Sequence, residues 1–152
     1  MKFSEVGRGT YAAAKFNDKT LDALCDMQER LRLFDPTPRD KLHSTICYSR
    51  VHIPYKPMQN LGIIAYALGY EVFETRDGKR ALVLLLDSPY LQSRFDYAMA
   101  LGATYDFPDY KPHITLAYDI GAMAVPELEF KIGIGATHEY VEDLDLDWTT
   151  EK

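Results

Sequence analysis

The sequence is poor in the residues that make staples, metal sites and membrane spans. It has two cysteines, four histidines and one tryptophan in 152 residues. Cys25 and Cys47 sit inside apolar patterns and read as reduced core residues of a cytosolic protein, not as a disulfide framework. His43 and His52 do not make a metal-ligand spacing and both cysteines stand alone, so no structural zinc site and no other metal is expected. No apolar run approaches the ~20 residues that cross a bilayer. The opening stretch MKFSEVGRGTY lacks the apolar core of a secretory signal. A cytoplasmic location and no membrane partner are therefore expected. Positive charge is also short, with 17 Lys and Arg against 23 Asp and Glu, a net charge of −6. Proteins that grip long nucleic acid carry a broad basic face, which argues against such a partner here. A small anionic substrate needs only a local cluster of cations, and Lys41, Lys111, Arg39, Lys15 and Arg8 are available for one. Gly133-Ile134-Gly135 is no phosphate loop, because no Lys-Ser/Thr and no helix follow it. Ser44 offers no nucleophile elbow.

What is present is an ordinary globular composition, 47% hydrophobic and 26% charged, long enough to bury a core as one domain spanning 1–152. RGTYAAAKF (8–16) reads as a strand of small side chains. A helix is expected over 17–34, capped by Asn17 or Asp18, with Leu21, Leu24, Met27, Leu31 and Phe34 at helical spacing. Asp35-Pro36 and Thr37-Pro38 end it. LHSTICYS is a strand, followed by a proline-containing loop. Residues 63–75 and 80–87 form two strands joined by a turn at Arg76-Asp77-Gly78-Lys79. Ser88 caps a second helix with Pro89 at its first position and Gly102 past its apolar stripe. PHITLAYD is a strand again. ELEFKIGIGA and THEYVEDLDLDW read as a closing pair of strands. Asp143, Asp145 and Asp147 would give the last one a charged edge face.

Within this order one pattern occurs twice. KLHSTICY (41–48) and KPHITLAY (111–118) share Lys-x-His-x-Thr, a branched apolar residue, then x-Tyr, with the histidines 70 residues apart. Strand, helix, proline-containing loop and His-Thr strand recur over about 8–49 and 80–119. Two β-α-β half-repeats imply pseudo-twofold symmetry, with the motif strands near each other in the middle. Side chains alternate faces along a strand, so His43 and Thr45 point the same way, roughly 7 Å apart. His113 and Thr115 do likewise. Two imidazoles and two hydroxyls around one groove suit a phosphodiester. One histidine takes a proton from the attacking oxygen and the other gives one to the leaving oxygen, as a pKa near neutrality permits. The threonines can donate to the non-bridging oxygens as charge builds. No cofactor is required.

KLHSTI and KPHITL fit the signature of the two-histidine (2H) phosphoesterases, paired H-x-[ST]-hydrophobic strands, and the chain resembles that family over nearly its whole length. The resemblance implies a bilobal α+β fold, two β-α-β halves with antiparallel sheets around a central groove. It also implies catalytic roles for His43, Thr45, His113 and Thr115. With its short length, GTYAAAKF and GIGATHEYVEDLDLDW, the chain further resembles the T4-type phage anti-CBASS nucleases within the family. That likeness implies metal-independent cleavage of 3′,3′-cyclic dinucleotides or cyclic trinucleotides, signals of bacterial immunity, in the host cytoplasm. It also implies attack by a ribose 2′-hydroxyl next to adenosine.

Further substrate contacts are open. Tyr11, beside small alanines, either stacks on a base or belongs to the core; the resemblance favours stacking. Glu142 can accept from a base amino group or lie on a solvated acidic edge. Trp148 can close over the pocket or pack as a tail. Lys41 and Lys111 can draw in substrate or be solvated strand ends. The expected partner is a cyclic oligonucleotide, met by a monomer. The rivals are a 2′,3′-cyclic or 2′,5′-phosphodiesterase acting on RNA ends, and a cyclic-nucleotide sponge that binds without cutting. The doubled proton-transfer motif speaks against the sponge.

Overall fold

The structure, a computed structural model, describes residues 8–129 and 131–145. In chain order it contains β1 (Arg8–Phe16), α1 (Asp18–Arg30), a 3₁₀ turn (Arg39–Lys41), β2 (Ser44–Ser49), β3 (Ile63–Glu74) and β4 (Arg80–Asp87). Then come α2 (Pro89–Ala100), β5 (His113–Ala117) and β6 (Gly133–Asp145). The strands pair in the order β2-β1-β6-β3-β4-β5, every pair antiparallel. This is an α+β fold.

Local chemistry explains the element boundaries. The Asn17 side chain accepts from Thr20 N at 2.9 Å and starts α1, and Ser88 accepts from Leu91 N at 3.0 Å to start α2. Helix α1 stops at Arg30, short of the expected Phe34. Arg32 and Asp35 take positive φ values of 54° and 58°, and Phe34 is 88% exposed instead of packed. The left-handed residue Arg32 breaks the right-handed path just past the C-cap Leu31, and so α1 ends before the apolar stripe does. Cys47 is buried and Cys25 half-buried, both as free thiols.

The expected closing pair of strands is instead one 13-residue strand, β6. Its first residues, Gly133 to Gly135, pair with β3, and the rest, from Ala136 to Asp145, pair with β1. Gly135 is required where β6 passes the start of α1, because a Cβ there would lie 2.3 Å from the Asn17 amide nitrogen. The expected acidic edge strand is thus the far part of a strand that is interior in the pairing order. The Asp143 carboxylate on it faces Arg8 at 3.7 Å and His52 at 3.8 Å. Leu146, Asp147 and Trp148 lie outside the described residues.

The units β1-α1-β2 and β4-α2-β5 repeat one another on either side of β6 and β3. In pairing order β2 and β5 are the two outer strands, not the middle ones. In space they meet: Ser44 Oγ donates to the His113 carbonyl and the Tyr110 hydroxyl to the Thr45 carbonyl, each at 2.8 Å. The sheet therefore bends until its edges close around the motif residues.

The linkers then cross. Thr37, after α1, donates its amide to Leu116 O of β5 at 2.8 Å, and Pro36 bridges to Ala117. Thr104, after α2, binds the Arg50 amide at 2.8 Å and Ser49 Oγ at 3.1 Å at the end of β2. The linker after α1 thus covers part of the outer edge of β5, which hinders pairing with another chain there, and the linker after α2 ties down the end of β2. Below the sheet, two buried polar side chains fasten the helices. Gln28 of α1 donates to Thr37 O and Leu116 O, both at 2.9 Å. On the α2 side, the Glu139 carboxylate accepts from Arg94, Tyr55, Tyr90 and the Met58 amide.

Candidate active site

His43 and His113 are held identically. The Nδ1 of His43 lies 2.7 Å from the Lys41 carbonyl, and the Nδ1 of His113 lies 2.7 Å from the Lys111 carbonyl. A carbonyl only accepts, so Nδ1 carries the hydrogen in each ring and Nε2 is the basic nitrogen. The lysine two residues before each histidine therefore contributes first through its main chain. Both lysines stand just ahead of their strands, at the strand entrance: Lys41 ends the 3₁₀ turn and Lys111 is in the loop before β5. Burial lowers the pKa of both imidazoles below its ordinary value. The carbonyl bonds oppose the shift, as do the Glu142 carboxylate at His43 and Glu71 at His113. The Lys15 cation adds to it at His43, and the first histidine adds to it at the second. Both rings are accordingly neutral at neutral pH before an anion arrives.

Each motif strand carries a bulge at the matching residue. Across β1 the register jumps from Ala12↔Cys47 to Ala13↔Thr45, leaving Ile46 extra. Across β4 it jumps from Leu82↔Ala117 to Val83↔Thr115, leaving Leu116 extra. Ile46 and Leu116 are both fully buried. A bulge changes which residues share a face, so a side chain three beyond the threonine returns to the groove. That accounts for the tyrosine in each repeat, Tyr48 and Tyr118, both exposed. Alternation alone does not foresee it.

Thr45 receives a second hold, since its hydroxyl is hydrogen-bonded to the Tyr11 hydroxyl at 2.9 Å. The Tyr11 ring sits at 6.2 Å from His43, 5.9 Å from Tyr48 and 6.1 Å from Tyr140, centroid to centroid. Tyr11 is thus half-buried within the centre, hydrogen-bonded to Thr45 and packed by edge-on or tilted ring contacts. Thr115 stands half-buried two residues past His113, with inward-facing Ile114 and Leu116 on either side.

A cavity opens on each side of this centre. One, of about 640 Å³, is lined by Lys15, Lys41, His43, Tyr118, His138, Tyr140 and Glu142, among others. The other, of about 310 Å³, is lined by Thr45, Tyr48, Phe73, Tyr105, Phe107, Tyr110, Lys111 and His113, among others. The motif tyrosines are exchanged. Tyr48, from the His43 strand, lines the cavity of His113, and Tyr118, from the His113 strand, lines the cavity of His43. Of the candidates, Glu142 and Lys41 share the first cavity and Lys111 belongs to the second. The sequence reading passed over Phe73, Tyr105, Phe107, Tyr110, Tyr140 and His138. Only the repeated tyrosines left a visible signal. Among the described residues no group of three or more His, Cys, Asp or Glu could hold a metal ion, and no helix is long and apolar enough to cross a membrane.

Comparison with known proteins bears on the fold and on the family. Among solved structures the fold is similar to TT0787 of Thermus thermophilus, with a TM-score of 0.60 and 17% identity over 90% of this chain and 97% of that one. It is also similar to E. coli LigT, solved with 3′-AMP, with a TM-score of 0.51 and 16% identity over 84% of this chain and 83% of the other. The anti-CBASS protein Acb1 of Acinetobacter phage Ac42 is 58% identical over 97% of this chain and 99% of its own length. That of Enterobacteria phage T4 is 48% identical over 99% and 98%. The family model for anti-CBASS protein Acb1 matches residues 8–151, and with these relatives it shows that the chain belongs to the Acb1 family of anti-CBASS proteins.

Proposed function

We propose that the chain is a metal-independent phosphodiesterase that opens 3′,3′-cyclic di- and trinucleotides, with His43 and His113 as the proton-transfer pair. The observation that carries this reading is the matched pair of imidazoles, each tied at Nδ1 with Nε2 left basic, each lining one of two cavities. One neutral histidine accepts the proton of a ribose 2′-hydroxyl as that oxygen attacks phosphorus. The other, charged once the phosphate has entered, gives its proton to the departing 5′-oxygen. The ring opens to a linear product ending in a 2′,3′-cyclic phosphate. Water then opens that phosphate with the histidine roles reversed. The Thr45 and Thr115 hydroxyls donate to the non-bridging oxygens, where preorganised donors act most strongly. Lys41 and Lys111 flank the two cavities as local cations. Every group comes from one chain, so a monomer suffices. Acting against the immune signal places the enzyme in the cytoplasm of the bacterial host.

The test is incubation with a panel of cyclic di- and trinucleotides in excess EDTA, read by mass spectrometry. Linear products with intermediate cyclic phosphates are expected. Cleavage that requires added zinc or magnesium would overturn the two-histidine mechanism. Binding without cleavage would make the protein a sponge. Preference for 2′,3′-cyclic ends of RNA over cyclic oligonucleotides would move it to RNA processing.

A further inference from the structure

We infer that the cavity beside His113 is a stacking subsite for the second base of the substrate, built from Tyr48, Phe73, Tyr105 and Phe107 and tolerant of which base it receives. This rests on the reading of the substrate as a cyclic oligonucleotide.

The cavity adjoins the reaction centre, since His113 and Thr45 form part of its wall. Its volume of about 310 Å³ lies at the small end of ligand pockets, which run about 300–1,000 Å³, and suits one flat heterocycle better than a dinucleotide. Its walls are rings. Phe73 packs edge-on against His113 with centroids 4.8 Å apart, and Tyr105 against Phe107 at 5.6 Å. The wall is braced from α2, where Phe95 stacks on Tyr110 at 4.4 Å and meets Tyr105 at 4.9 Å. Tyr110 is in turn anchored to the Thr45 carbonyl. Phe107 and Tyr48 nonetheless remain 66% and 42% exposed at the rim. Large apolar faces kept open to water beside a reactive centre mark a binding surface.

The contrast with the other cavity sets the specificity. Around His43 the walls carry Lys15, Lys41, His138 and Glu142, groups that read hydrogen-bonding edges. Around His113, Asp109 and Lys111 are the charged side chains among the described lining residues. Aromatic rings hold any base by its π-face and read little of its edge. One nucleotide of the ring is therefore selected and the other merely held.

The experiment uses full-length protein. In a His43→Ala background, which retains substrate uncleaved, the affinity for 3′,3′-cyclic di-AMP is measured with Phe107 intact, Phe107→Tyr and Phe107→Leu. Phe107 is largely exposed, so each variant should fold, and circular dichroism checks this. Tyrosine should preserve affinity, while leucine should weaken it by about tenfold or more. In the Phe107-intact background, the mixed rings 3′,3′-cyclic GMP-AMP and 3′,3′-cyclic UMP-AMP should bind nearly as well as cyclic di-AMP, and a ring with both adenines replaced should bind more weakly. Equal affinity of the leucine and phenylalanine forms would overturn the subsite. If the wild-type chain neither binds nor cleaves any cyclic dinucleotide, the substrate reading itself falls. If it does both and Phe107→Leu changes nothing, only the subsite falls.

Discussion

The two halves of this molecule agree in how they hold their histidines and differ in nearly everything around them. Each histidine makes the same 2.7 Å bond to a carbonyl two residues earlier. Each motif strand bulges at the same residue and sends its tyrosine across to the other half. The cavities, by contrast, are polar on one side and aromatic on the other. A phosphodiester reaction needs two groups of one kind, an acceptor and a donor of the same proton affinity range, so symmetry suits it. A ligand with two different bases does not need symmetric walls. The comparison separates what the reaction fixes from what recognition leaves free to vary.

The most direct way to break that symmetry is to remove one histidine at a time. His43→Ala and His113→Ala should each reduce turnover of a cyclic dinucleotide by about 10²–10⁴-fold. Substrate affinity should change far less, and the double variant should be little worse than either single one, because the two groups act on one step. Quenched-flow turnover and equilibrium binding report these separately. Near-normal turnover in either single variant would end the paired assignment.

The clamps under the helices offer a second contrast, between charge and neutrality. Arg94 binds Glu139 at 2.9 and 3.0 Å, with the Glu139 side chain fully buried. Burial pushes that carboxyl up, but hydrogen bonds from Arg94, Tyr90, Tyr55 and the Met58 amide outweigh it and hold its pKa below the ordinary value. Glu139→Ala leaves a half-buried guanidinium uncompensated and should cost roughly 3–5 kcal/mol in urea unfolding. Gln28→Ala removes the donor to two buried carbonyls and should cost about 1–3 kcal/mol. The signs with pH also differ. A depressed carboxyl gives stability that is present above its unfolded-state pKa and is lost as pH falls through the folded value. Acidification should therefore erode the Glu139 contribution and leave that of Gln28 unchanged.

Much of this site could be read from the sequence, for reasons that are physical. The His-x-Thr pairs, the half-repeats and the caps at Asn17 and Ser88 depend on local spacing and local hydrogen bonds, which a linear sequence displays. Three things depend on what happens far along the chain. Helix α1 ends at the left-handed turn of Arg32, and the segment after it is held to β5 by the Pro36–Ala117 bridge, so Phe34 looked like core and is exposed. The last segment is one strand because β6 changes partners midway, from β3 to β1. The aromatic cavity gathers Phe73 of β3 with Tyr105 and Phe107 of a loop, and no periodicity connects them. Tyr11 was recognised as a site residue, but its contact with Thr45 required the pairing of β1 with β2.

That contact gives a smaller test of symmetry. Tyr11 braces Thr45, whereas among the described residues Thr115 makes no side-chain hydrogen bond. Tyr11→Phe removes one neutral hydrogen bond, worth about 0.5–1.5 kcal/mol. Turnover should fall by roughly two- to tenfold, with the fold and the ring packing kept. Combining it with Thr45→Ala should add nothing, while combining it with Thr115→Ala should multiply the losses. Steady-state kinetics of these variants, single and combined, decide the matter.

The finest distinction between the halves is electrostatic, and it can name the base and the acid. The Lys15 cation disfavours the charged form of His43, and the Glu142 carboxylate favours it. Lys15→Gln should therefore raise the His43 pKa, and Glu142→Gln should lower it. His113 answers instead to Glu71 and to His43 itself. In a profile of kcat/KM against pH, the acidic limb reports the group that must be neutral and the alkaline limb the group that must be charged. If His43 is the base, the acidic limb moves to higher pH in Lys15→Gln and to lower pH in Glu142→Gln. If His43 is the acid, the alkaline limb makes those same moves. The other limb should follow only weakly, through the coupling between the two imidazoles. The height of the profile can fall in either variant, since both residues line the polar cavity, but the positions of the limbs are independent of that loss. Limbs that stay fixed in both variants would mean that His43 does not titrate in the rate-limiting step, and the equivalence of the two halves would end there.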